Sequence, residues 1–127
     1  KAILPQAVEG KLRLAFAHGE KGARYNLAKV AASAKPSGTG WEVTGEKAVV
    51  LGAAAAGKLV VSAITGKGMS LFLVDAKDAK LKSYVTLDEM RAADVTLAGA
   101  KAELLGAEGG ALALVEEVTD FATALVC

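Results

Sequence analysis

The chain has 127 residues, 53% apolar, 23% charged and 5% aromatic, with 15 basic against 14 acidic side chains. This composition excludes disorder, and no uncharged stretch approaches the ~20 apolar residues of a membrane-spanning helix. Lys and Arg are scattered, so neither a nucleic-acid stripe nor a basic membrane-surface patch is expected.

Residues 1–10 read as a connector or one helical turn, punctuated by Pro5. Residues 11–17 alternate enough for a strand. Residues 18–25 form a polar loop with Gly19 and Gly22, and residues 27–35 a second strand. Residues 36–40 are dense in turn formers. Residues 41–43 and 46–51 then predict a hairpin around Thr44 and Gly45. Residues 52–57 are an alanine-filled loop. The β-branched run 58–64 predicts a strand. A turn at 66–68 leads to another strand at 69–75, and strands at 81–86 and 94–98 complete about eight. Their spacing of roughly ten residues favours a sandwich or barrel over a parallel sheet with crossover helices.

The last segment changes period. Ala111, Leu114, Val115, Val118, Phe121, Ala122 and Leu125 recur at helical spacing, with Glu116, Glu117 and Asp120 between them. One amphipathic helix must bury its stripe, either on the β domain or against other helices. The chain starts at Lys1 and stops at Cys127 inside an apolar run, which suggests a piece of a longer protein. A single cysteine and no signal-like leader favour a reducing compartment, the cytoplasm.

Local motifs carry little chemistry. Residues 52–58 match G-x-x-x-x-G-K, but Leu59 stands where a magnesium-binding hydroxyl belongs, and a strand rather than a helix follows. His18 is the only histidine, with no nucleophile in an elbow beside it and no ligand cluster for a metal. Asp75, Asp78, Asp88, Glu89 and Asp94 fall mostly at predicted strand ends, where carboxylates are solvated.

Four segments in order point further. They are residues 19–26 (GEKGARYN), 45–52 (GEKAVVLG), 70–75 (SLFLVD), and Met90-Arg91 with residues 104–110 (LLGAEGG). They resemble the T-E-P-G-A-G-S-D loop, the G-x-K-x-W-I-T-N strand, the S-x-F-L-V-D strand and the G-M-R to L-L-G-x-x-G-x-G stretch of the acyl-CoA dehydrogenase middle domain. The variants of the first two segments look most like the small subunits of pimeloyl-CoA-type dehydrogenases. The family's V-P before its last linker has no counterpart.

The resemblance implies an antiparallel β-barrel of about eight strands with one C-terminal helix. Residues 1–10 would lead in from a helical N-terminal domain, residues 11–106 would form the barrel, and residues 107–127 would open a helical C-terminal domain. The family removes two hydrogens from an acyl-CoA thioester, with FAD as hydride acceptor and a carboxylate base from the C-terminal domain. This segment would therefore hold no catalytic residue. It would supply part of a FAD and acyl-CoA wall, inside a homo- or hetero-oligomer built with the other domains of the parent chain.

By position, the family's two flavin-bonding threonines become Gly19 and Leu51, its ring-packing Trp becomes Val49, and its pyrophosphate-contacting Ser becomes Tyr25. Phe16 and His18 would line the same wall. With those hydroxyls and the aromatic plate gone, FAD binding by this segment alone is expected to be weak or absent. The plainer readings make Gly19 and Gly22 turn glycines, Val49 and Leu51 core, Tyr25 a cap on the barrel edge and Trp41 a packing anchor. Two rival functions stay open: the domain of a structural subunit that holds no flavin, and an unrelated β ligand-binding module.

Overall fold

A computed structural model describes residues 3–24 and 26–127. Helix α1 spans Leu4–Val8, with Pro5 in its first turn, where a missing N–H is tolerated. Seven strands follow: β1 (Leu14–Ala17), β2 (Ser33–Ser37), β3 (Gly40–Leu51), β4 (Lys58–Thr65), β5 (Gly68–Asp75), β6 (Lys80–Val85) and β7 (Arg91–Leu105). Helix α2 (Ala111–Val126) closes the chain. Among the described residues no helix is long and apolar enough to cross a membrane.

Glycine sets the hairpins. Strand β2 turns into β3 through Gly38 and Thr39, with Ser37 opposite Gly40 and Gly38 at φ 58°. Strand β4 turns into β5 through Gly66 and Lys67, with Thr65 opposite Gly68. Gly38 supplies the positive φ by which a two-residue loop matches the strand twist, whereas in the second hairpin the positive φ, 124°, falls on Gly68 just after the loop. The Thr65 hydroxyl accepts the Lys67 N–H at 3.2 Å and stiffens the second turn.

Strands β4, β2, β3, β7 and β5 form a closed ring, because β5 pairs with both β7 and β4. Strands β1 and β6 lie outside it, on β4 and β7. The expected eight antiparallel strands are thus seven, and the pairing is mixed: β1 and β2 both run parallel to β4. The count falls by one because residues 41–51 are one strand, with Gly45 inside it rather than in a hairpin turn. Two other differences shift strand bounds. Residues 27–32 are not strand, since β2 begins at Ser33. Strand β7 is far longer than residues 94–98, because it pairs with β3, β6 and β5 in turn.

The interior is built from small aliphatic side chains, among them Ala17, Val43, Val61, Ala63 and Val95, all fully buried. Phe72 is the one aromatic among them, and Trp41 packs on it with ring centroids 5.4 Å apart. Strand β5 is buried on both faces. Phe72 and Val74 point into the ring, while Met69 and Leu71 pack under Ala111 and Val115 of α2. The first half of the helix is thereby fixed to the barrel, and its last turns are exposed.

Candidate functional site

Strand β5 occupies one edge of β4 throughout. The other edge is shared. Strand β1 pairs with residues 58–61, and β2 touches the same edge only at Ile64. The ladder is broken at Ser62 and Ala63, where the loop of residues 18–32 leaves the sheet. A break in a buried ladder must be filled by side chains with matching donors and acceptors.

Lys47 fills it. Its side chain is fully buried, and Nζ donates to Glu20 Oε2 at 2.7 Å, Ser62 Oγ at 3.0 Å and the His18 carbonyl at 3.3 Å. Three ammonium protons thus meet three acceptors. Ser62 Oγ also lies 2.7 Å from His18 Nδ1. Since the hydroxyl oxygen accepts from Lys47, its own proton goes to Nδ1, which leaves the ring neutral with its proton on Nε2. The Glu20 carboxylate accepts the N–H groups of Ala31 at 2.9 Å and Ala32 at 3.4 Å. One ion pair therefore clamps both ends of the loop.

The ionisation states agree. Burial, and then the nearby Lys47 charge, push His18 below its usual range, against the pull of the Leu27 carbonyl and Glu20. Burial lowers Lys47 too, and Glu20 only partly offsets it. Burial would raise Glu20, but the hydrogen bond from Lys47 and the two amides outweigh it and hold the carboxylate below its usual range. Ser62 sits between a base and an ammonium, yet it is fully buried and has no opening to a substrate. The arrangement is a latch.

The residues singled out from sequence lie around this latch. His18 is buried in it, and Phe16, 38% exposed, stacks on the His18 ring at 5.6 Å and 12°. The Gly19 carbonyl accepts the Ala48 N–H at 2.7 Å, which joins the end of β1 to a bulge in β3. A side chain on Gly19 would sit 3.2 Å from the Ala48 oxygen, so the close approach favours glycine; neither Gly19 nor Gly22 has the positive φ that would make it a turn glycine. Val49 and Leu51 are 57% and 48% exposed, so neither is core, and both lie on that same bulged segment. Tyr25 lies outside the described residues.

Val49 holds φ at 54°. A β-branched residue is strained there. Its N–H donates to Asp94 Oδ1 at 3.2 Å, and that oxygen also accepts the Tyr84 hydroxyl at 2.9 Å. Asp94 is therefore not a simply solvated carboxylate. The Val49 amide and the Tyr84 hydroxyl hold it below the usual range, against burial, with Lys21 adding to the effect. Replacing Val49 with glycine removes the strain and little burial. The expected result is a gain of about 1 kcal/mol, net of glycine's backbone entropy, measured by urea denaturation.

Two other features resolve simply. Residues 53–55 form one turn of 3₁₀-helix, and the N–H groups of Gly57 and Lys58 both point at the Arg13 carbonyl, so no phosphate cradle exists there. A cleft of about 740 Å³ beside Glu20 is lined by Lys21, Lys80 and Lys82 but also by Glu46 and Asp94, a mixed-sign surface. Sequence reasoning missed Glu20, Lys47, Ser62 and the role of Asp94. The available signal was a lysine on the inward parity of a strand, two residues beyond Gly45 and four beyond Val43.

No family model matches the chain, and no curated protein matches it by sequence. Solved structures do match. A variant of the steroid ACAD Tcur3481-Tcur3483 is 35% identical, with a TM-score of 0.78 over 87% of this chain and 30% of that one. An acyl-CoA dehydrogenase from Geobacillus kaustophilus is 27% identical, with a TM-score of 0.79 over 90% of this chain and 34% of that one. A glutaryl-CoA dehydrogenase from Mycobacterium smegmatis, solved in complex with FADH2, is 22% identical, with a TM-score of 0.77 over 86% of this chain and 31% of that one. The fold is thus shared with acyl-CoA dehydrogenases, and the chain spans about a third of their length.

Proposed function

We propose that this chain is the β-barrel middle domain of a flavin-dependent acyl-CoA dehydrogenase, related to the small subunits of the pimeloyl-CoA type. In this reading residues 11–106 are the barrel and residues 107–127 begin a helical domain. The observation that carries the reading is the match in fold and sequence to the steroid ACAD over 87% of this chain. The local geometry supports it. Phe16, Val49 and Leu51 are exposed apolar side chains on segments that Gly19 and Ala48 tie together. An apolar surface of this kind suits one face of a flavin ring.

The polar edge of a flavin is poorly served. The Val49 amide is taken by Asp94, the His18 Nδ1 by Ser62, and no hydroxyl stands at Gly19 or Leu51. Flavin, when bound, supplies the hydride acceptor. This chain's residues would shield one side of the ring from water and hold its position. Each missing hydrogen bond weakens binding by ~1 kcal/mol. The chain alone is expected to leave FAD unbound in a titration followed by flavin absorbance. Stoichiometric tight binding would contradict this.

The decisive experiment uses the full-length protein that carries this segment. Leu51→Asp should release flavin while the folded circular-dichroism spectrum is kept, because Leu51 is half exposed. Undiminished flavin in that variant would remove Leu51 from the pocket. The missing hydroxyls favour a second reading, a structural subunit without its own flavin. One flavin per pair of subunits supports it, and two support the first.

A further inference from the structure

Strand β6 pairs with β7 along its whole length without a bulge, and among the described residues it has no second partner strand. Two hydrogen bonds fix which of its residues face the free edge. The Thr86 N–H donates to the Met90 carbonyl at 2.9 Å, while the Arg91 carbonyl turns the other way and accepts the Gly52 N–H at 3.0 Å. Bonded pairs alternate along an antiparallel ladder. Lys80, Lys82 and Tyr84 therefore bond β7, and the N–H and C=O groups of Leu81, Ser83 and Val85 point outward. None of the six residues is proline, which would block the edge. A regular edge of this kind can template a further strand.

The side chains select that strand. Lys80, Lys82 and Tyr84 share the outer face, across from Thr96, Asp94 and Ala92. Asp94 is already engaged by Tyr84, the Val49 amide and Lys21. Lys80 and Lys82 are exposed and take part in no ion pair among the described residues. On the other face Leu81 packs against the core and Val85 is 62% exposed. A second copy of β6 would add two more lysines to the outer face and no carboxylate. A segment with carboxylates in the rows of Lys80 and Lys82, and apolar side chains in the rows between, suits both faces. We propose that the free edge of β6 binds an extended segment of a partner protein, alternately acidic and apolar, as a further antiparallel strand. The inference uses neither the flavin pocket nor the acyl-CoA reading.

The test uses the whole chain and three labelled peptides. One alternates glutamate with valine, the second has lysine for glutamate, and the third repeats the first with N-methyl groups on the valines, whose amides would face β6. Fluorescence anisotropy at low salt should show saturable binding of the glutamate peptide, about fivefold or more tighter than the lysine peptide, with the difference shrinking in high salt. The N-methylated peptide should not bind. In the unaltered chain the glutamate peptide should slow amide hydrogen exchange at Leu81, Ser83 and Val85, well beyond any change at Lys80, Lys82 and Tyr84. Ser83→Pro removes an outward donor and spares the β7 ladder, so it should weaken binding with the melting curve kept. No saturable binding, equal affinity for the glutamate and lysine peptides, undiminished binding of the N-methylated peptide, or no protection at Leu81, Ser83 and Val85 would overturn the proposal. So would sedimentation showing a dimer that Ser83→Pro dissociates, since the occupant would then be a second copy.

Discussion

Lys47→Met is expected to destabilise the fold by about 3–5 kcal/mol, the usual effect of removing one partner of a buried ion pair. In a chain of this length that is a fall in melting temperature of roughly 10–20 °C, measured by calorimetry. The reason is what remains. Glu20 is 10% exposed and would keep only two backbone amides for its charge, while Ser62 and the His18 carbonyl would lose their donor. Adding Glu20→Gln should recover much of the loss, because the intact pair and a neutral pair differ far less than a pair and a stranded charge. The pH dependence has a definite sign. Glu20 has a lowered pKa in the folded state, so its contribution is present above its ordinary value of 4.5 and lost as the pH falls through that range. The gap between Lys47→Met and the unaltered chain should therefore narrow in acid. A single substitution that moves the melting temperature by only a degree or two, or a gap that widens in acid, would show that the latch does not hold the loop.

What the sequence could show, and what it could not, follows from where each signal resides. Strands β4 and β5 lie within a residue of expectation, because an apolar run bounded by Gly66 and Lys67 is a local pattern. Helix α2 was equally plain from its 3.6-residue period. The parallel pairing of β1 and β2 with β4 has no local signature, since it is decided by which edge the loop of residues 18–32 returns to. Residues 27–32 alternate like a strand, yet the amides of Ala31 and Ala32 bond a carboxylate eleven and twelve residues away. In β7, Ala, Lys, Glu and Gly99 argue against a strand, and pairing with three other strands along its length overrides them. The latch was hidden by one reading: a turn at Thr44 and Gly45 breaks the alternation that places Val43 and Lys47 on the same inward face. The resemblance brought Gly19 and the segment of Val49 and Leu51 into one neighbourhood, which spacing alone could not.

That glycine carries the second large effect. Gly45→Ala is expected to destabilise the chain by about 3 kcal/mol. Gly45 has φ at 152°, inside the region that side chains avoid, and an added Cβ would meet the Cβ of Ala32 at 2.5 Å and its Cα at 2.7 Å. Neither atom is the end of a flexible side chain, so the backbone must move. Ala32 has no room to yield: it is 1% exposed, its carbonyl accepts the Ile64 N–H at 2.8 Å, and its N–H is held by Glu20. Backbone strain and overpacking each contribute about 1–3 kcal/mol in such a case. The movement would pull the second end of the loop away from Glu20 and so loosen the latch, which makes the effect non-additive with Lys47→Met. Gly22→Ala is the control. It lies in the same loop with nothing near its Cβ position, and should change stability by no more than ~0.5 kcal/mol. Equal effects of the two substitutions would mean that close approach of β3 to Ala32 is not what requires glycine at position 45. Additivity of Gly45→Ala with Lys47→Met would mean that strand spacing and ion pair act on separate parts of the fold.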